Sequence, residues 1–123
     1  MFILMTLLYL IWDTARLSFD FHKMDMDALL LVGALVHVPH ARFQLIFSRI
    51  LKALKPQGCV LLTMKQGQGT QTRPDGRVFY LWSKDDLLRV VEDCSLNCIE
   101  YFEKQSKIRA SDTWISFVLQ SQL

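Results

Sequence analysis

A chain of 123 residues holds one domain at most, near the lower end of what an α/β fold needs. With 51% hydrophobic and 21% charged residues it can bury a core, which excludes intrinsic disorder. Fourteen basic against twelve acidic residues give a net charge of +2 with no long run of either sign, so no clustered basic face marks a nucleic-acid binder.

The first twelve residues, MFILMTLLYLIW, are apolar but shorter than the roughly twenty residues a membrane span takes. No Lys or Arg precedes them, and Asp13-Thr14-Ala15-Arg16 is a poor cleavage site for a leader. Burial within the fold is the expectation, with residues 1–16 set apart as an apolar N-terminal segment and a domain over residues 17–123. From Leu17 to Phe21 apolar and polar residues alternate, as in a short edge strand.

Ala28 to Val32 is an unbroken apolar run, the pattern of a strand buried on both faces. Gly33-Ala34 permits close backbone approach, and Pro39 marks a loop. From Ala41 to Leu54, Phe43, Ile46, Phe47, Ile50, Leu51 and Leu54 recur at helical spacing. Lys52 and Lys55 suit the negative end of that helix, and Pro56 and Gly58 stop it in a turn. A second apolar run, Cys59 to Met64, completes strand, helix, strand. That is one βαβ unit with two parallel strands.

Lys65 to Arg77, KQGQGTQTRPDGR, reads as a long, mobile polar loop with a turn at Pro74-Asp75-Gly76. Val78 to Trp82 reads as a short extended piece. Ser83 then opens a helix, with Asp86 three residues on in a capping-box-like pair and an apolar stripe of Leu87, Val90, Val91 and Cys94. Cys98 to Glu103 and Thr113 to Gln120 read as strands of an antiparallel hairpin that closes one edge of the sheet. Cys59, Cys94 and Cys98 are odd in number and lack Cys-x-x-Cys spacing, so they read as reduced thiols in a cytoplasmic protein.

In open α/β sheets chemistry sits at the carboxyl ends of the strands. His37-x-x-His40 lies there, but no further Cys, Asp or Glu completes a metal site, and none is expected. His37 alone is a candidate acid, base or substrate contact, with a structural hydrogen bond as the alternative. Lys65-x-Gly67-x-Gly69 lacks the Gly-Lys-Ser/Thr of a phosphate loop. It reads as a flexible lid with Lys65 snorkelling from the strand end. Arg73, Arg77 and Tyr80 could meet an anionic substrate or line a solvated face.

Three segments in order, FDFHKMDMDALLLVGALVHVP, LKALKPQGCVLLTMKQGQG and DGRVFYLWSKDDLLRVVEDC, resemble the C-terminal half of a class I S-adenosylmethionine-dependent methyltransferase. The resemblance covers about Leu17 to Leu119. It implies a partial Rossmann-like α/β sheet: the family's fourth strand at Ala28 to Val32, its fifth at Cys59 to Met64, and its last two as the C-terminal antiparallel hairpin, with flanking helices. It also implies Ala34 and Leu35 beside the cofactor and His37 at the catalytic mouth. Lys65, Gly67, Gly69 and Arg77 would form the substrate-side loop. Departures are Asp25-Met26-Asp27 where Phe-Asp is usual, and Gln57 for the first glycine of the family's Pro-Gly-Gly.

The larger departure is upstream. The family grips its cofactor with a Gly-x-Gly-x-Gly turn and an acidic residue on the ribose, whereas the five glycines here are Gly33, Gly58, Gly67, Gly69 and Gly76. The chain is therefore expected to bind S-adenosylmethionine weakly or not at all by itself. Without the family's first strand an apolar sheet edge would stand open. Phe2 to Ile11 is expected to cover that edge, as a strand or a packed helix. A non-catalytic interaction module, pairing as a homodimer or with a partner through the edge, is the rival reading.

Overall fold

The computed structural model describes residues 2–3, 25–109 and 111–123. In chain order the elements are β1 (Phe2–Ile3), β2 (Met26–Val32), α1 (His40–Ile50), β3 (Leu54–Lys65), β4 (Thr70–Thr72), β5 (Val78–Tyr80), α2 (Lys84–Asp93), β6 (Leu96–Gln105) and β7 (Thr113–Ser121). The main sheet has the order β1-β2-β3-β7-β6. β1, β2 and β3 are parallel, β7 runs antiparallel to β3, and β6 runs antiparallel to β7 at the edge. The expected βαβ unit and C-terminal hairpin are both present.

At the other edge Phe2 and Ile3 pair with Ala28 and Leu29. The rest of the expected N-terminal cover, the strand expected at 17–21 and the boundary at residue 16 lie outside the described residues.

Side-chain alternation sorts the sheet into two faces. Leu29 and Leu31, Val60, Leu62 and Met64, and Ile115, Phe117 and Leu119 lie in register across β2, β3 and β7. All are buried, in one core with Phe43, Phe47 and Ile50 of α1 and Leu87 and Val91 of α2. The opposite face differs. Val32, from the run that predicts burial on both faces, is 54% exposed. The reason is that α1 and α2 contribute to the same core and leave the second face of β2 without a helix among the described residues.

Helix α1 starts one residue earlier than its apolar period suggests and gives way to a 3-10 turn at Leu51–Ala53. The Lys55–Gly58 stretch is not a free turn. It lies within β3 as a bulge, because Met26 pairs with Leu54 while Ala28 pairs with Cys59. A Cβ on Gly58 would lie 2.6 Å from Leu54 Cδ1 and 2.9 Å from the Lys55 carbonyl oxygen, so only glycine fits there. Gln57 beside it takes a left-handed φ of 66°. Its amide donates to the Leu123 carbonyl at 2.9 Å, which ties the bulge to the C-terminus. Gln57→Gly is expected to relieve that backbone strain and stabilise the fold by about 0.5–1 kcal/mol, read from a urea midpoint. An unchanged or lowered midpoint would show that the Gln57 side chain matters more than its backbone.

The stretch read as a mobile loop is also ordered. Thr70–Thr72 and Val78–Tyr80 form an antiparallel hairpin, and its turn is fixed by Arg77 N donating to Asp75 Oδ1 at 3.0 Å. Helix α2 begins as its sequence predicts, with Ser83 Oγ accepting from Asp86 N at 3.2 Å. No helix among the described residues is long and apolar enough to cross a membrane.

Candidate functional site

The carboxyl ends of β2 and β3 meet the β4–β5 hairpin, and this junction holds most of the residues singled out by sequence. Gly33 turns the chain out of β2 with φ 68°, its amide donating to the Thr63 carbonyl at 3.0 Å. Ala34, Leu35, Val36 and Val38 then bury their side chains in the core. The loop is clamped from above by the hairpin, where Tyr80 N donates to the Val36 carbonyl at 2.7 Å.

Two imidazoles complete the clamp. His37 Nδ1 donates to the Val78 carbonyl at 2.7 Å, with its ring centroid 4.6 Å from that of Phe79. His40 Nε2 donates to the Leu81 carbonyl at 2.7 Å and packs edge-on against Tyr80 and Trp82. A carbonyl can only accept, so each bond fixes which ring nitrogen carries hydrogen. Neutral His37 then carries its lone pair on Nε2. The pair His37-x-x-His40 therefore staples two segments together, and no group of three metal-ligating side chains exists among the described residues.

The sequence candidates separate into distinct places. His37 and Arg77 share a cleft of about 460 Å³ with Pro39, Val78 and Tyr80. Gly67 and Gly69 line a smaller cleft of about 320 Å³ with His40, Leu81, Trp82 and Asp86. Ala34 and Leu35 are in the core, so they can offer a ligand their backbone only. Arg77 is held at the surface by Asp75, its Nε 2.8 Å from Oδ2. Gly67 takes φ 150°, and a Cβ there would lie 2.7 Å from Leu81 Cδ1. Gly67→Ala should cost about 1–3 kcal/mol of stability in a denaturant melt, whereas an unaltered midpoint would show that Leu81 yields easily.

Lys65 does not snorkel. It is 2% exposed, with Nζ 2.9 Å from Asp112 Oδ2 and hydrogen-bonded to Gln71. Arg73 Nη2 reaches the same carboxylate oxygen at 2.9 Å, so neither cation is free for an anionic substrate in this arrangement. Both cations also lie over the Phe79 ring, at 4.6 and 5.2 Å from its centroid. The hydrogen bond from Lys65, with help from Arg73, holds the Asp112 carboxyl below its usual range against the opposing effect of burial. Asp112 and Phe79 are the members of this junction that the sequence does not advertise. Asp112 is far along the chain from Lys65 and outside all three segments that carry the family resemblance, and Phe79 gives no sign in the sequence that two cations lie over its ring.

What the described residues offer a nucleoside cofactor is one-sided. Gly33 opens the backbone at a strand end, but no Gly-x-Gly-x-Gly turn occurs in the sequence. The described residues alone do not supply the glycine turn that would hold S-adenosylmethionine.

No family model and no curated protein matches the sequence. Solved structures do match the fold. An S-adenosylmethionine-dependent methyltransferase from Methanosarcina mazei aligns with a TM-score of 0.73 at 16% identity, over 87% of this chain and 64% of its own. The Burkholderia thailandensis 1,6-didemethyltoxoflavin-N1-methyltransferase, solved with S-adenosylhomocysteine, gives 0.68 at 14% identity, over 82% of this chain and 48% of its own. A mycolic acid cyclopropane synthase gives 0.63 at 15% identity, over 85% and 57%. The chain thus spans about half to two thirds of the length of these proteins. By fold it resembles part of the Rossmann-like domain of the S-adenosylmethionine-dependent methyltransferases.

Proposed function

We propose that this chain carries the substrate-side wall of a methyl-transfer site and lacks the wall that grips the cofactor. The observation that supports this most is the asymmetry of its glycines. Strand ends, loop and hairpin are assembled around His37, while no glycine precedes Gly33. Backbone amides approach a cofactor closely only where side chains are absent, so no other residue type replaces that turn.

Within this reading His37 is the group with acid–base capacity at the mouth. The Val78 carbonyl holds Nδ1–H, which leaves Nε2 to accept a proton from a substrate hydroxyl or amine in the cleft beside Tyr80. The 123-residue chain by itself is expected to show no saturable heat when titrated with S-adenosylmethionine. Micromolar binding by calorimetry would overturn the reading.

A non-catalytic interaction module is the second reading, favoured by the exposed Val32, Ile99, Phe102 and Ile108. Light scattering tests its simplest form, in which two copies pair.

A further inference from the structure

Strand β6 ends the main sheet on the side away from β1, and no described strand lies beyond it. It runs for ten residues and is exposed everywhere except at Leu96 and Tyr101. Ile99 is 57% exposed and Phe102 45%. A long edge that carries exposed apolar side chains is a template for another strand.

The phase of the ladder determines which backbone groups are on offer. Ser106 N donates to the Asp112 carbonyl at 2.8 Å, so the hydrogen-bonded pairs with β7 fall at Ser106, Lys104, Phe102 and Glu100. Tyr101 and Glu103, lying between these, turn their amides and carbonyls away from β7. Among the described residues neither backbone has a partner on that side. Ile99 is an extra residue, since Cys98 pairs with Leu119 and Glu100 with Val118. That bulge bends the start of the strand and leaves Glu100 to Gln105 as its regular part.

The order of side chains then selects a partner. A two-fold axis can set Phe102 opposite Phe102 of a second copy. Tyr101 then faces Glu103 with their outward backbone groups in phase, and Glu100 faces Lys104, each pair occurring twice by symmetry. Neither Glu100 nor Lys104 has an ion-pair partner among the described residues. Opposite charges directly across an antiparallel pair attract, and like charges repel. Moving the axis to Glu103 would set two carboxylates face to face, and moving it to Tyr101 would put Glu100 against Phe102.

We infer that β6 is a homodimerisation edge: two copies pair antiparallel through Glu100 to Lys104, with Phe102 at the two-fold axis, and join their sheets into one. The inference rests on the second reading above, in which two copies pair, and gives that pair its surface and register. A ladder this short makes a small interface, so the association is weak and depends on concentration.

Sedimentation of the full chain over a concentration series should show a monomer–dimer equilibrium. Lys104→Glu and Glu100→Lys should each weaken it about tenfold or more, because each turns two attractive pairs into two repulsive ones. The double exchange, Glu100→Lys with Lys104→Glu, should restore it. In a Cys98→Ser background, Phe102→Cys should give a disulfide-linked dimer on mild oxidation, since the two Cα atoms would lie about 4.5 Å apart. Lys104→Cys in the same background should not, its two copies being more than about 13 Å apart along the ladder. A dimer indifferent to the charge reversals, one that the double exchange fails to restore, or equal cross-linking at the two positions would overturn the β6 register and leave two-copy pairing standing. A monomer at every concentration would overturn both. No measurement here involves S-adenosylmethionine, so the calorimetric prediction stands or falls separately.

Discussion

Replacing Asp112 by alanine is expected to lower the free energy of unfolding by about 3–5 kcal/mol, because it strands a buried cation. Lys65 is 2% exposed and Arg73 nearly as enclosed, and both place a donor 2.9 Å from the same Asp112 oxygen. Removing the carboxylate leaves two like charges over one phenyl ring with Gln71 as the remaining neutral partner of Lys65. Urea titration of Asp112→Ala and Asp112→Asn checks this, with the amide variant the milder because it keeps a hydrogen-bond acceptor. Converting Lys65, Arg73 and Asp112 together to apolar residues should cost far less than Asp112→Ala alone, since no charge is then left unpaired. A near-neutral Asp112→Ala would mean that water reaches Lys65.

The pH dependence has a definite sign. Asp112 titrates below its ordinary value of 3.8 in the folded chain, so the folded state prefers the ionised form. Its stabilisation is complete above the unfolded value and is lost as pH falls through the folded one. The stability difference between the native chain and Asp112→Asn should therefore be flat above about pH 5 and shrink below it. A difference that grew on acidification would contradict the pairing.

Phe47→Ala is expected to cost about 3–5 kcal/mol by opening a cavity in the helical face of the core. Phe47 is fully buried and stacks on Phe43 at 5.4 Å, and Phe43 in turn packs on Trp82 at 5.0 Å. The loss should thus be felt at the hairpin's end as a change in tryptophan emission, not only as a lower urea midpoint. Leu45→Ala on the same helix, at a position 47% exposed, should stay within about 0.5 kcal/mol. Equal effects at the two positions would mean that the helix is rotated relative to the sheet.

The parts of this fold that could be read from sequence are those whose signal is local and periodic. The stripe from Phe43 to Ile50, the alternation of Ile115, Phe117 and Leu119, and the Ser83 cap each declare themselves within a few residues. The β4–β5 hairpin did not, because Thr-Gln-Thr is short, polar and surrounded by glycine. Its order comes from contacts far along the chain, including the bonds of His37 and His40 to carbonyls 41 residues away. Lys65 illustrates the same limit. A lysine at a strand end reads as a surface residue until Asp112 is folded against it. The apolar run at Ala28 to Val32 predicts a neighbour on each face, and the described structure provides one.

The stapling of the hairpin to the Gly33–Pro39 loop has a thermodynamic corollary. The hydrogen bonds through Tyr80 N, His37 and His40, together with those of Lys65 to Gln71 and Arg73 to Asp112, would have to open for the hairpin to lift away. The mouth beside His37 is thus a preorganised rim, already in shape before anything enters it. A ligand seated there would lose little conformational entropy to ordering the protein, so its affinity would follow directly from the contacts it makes.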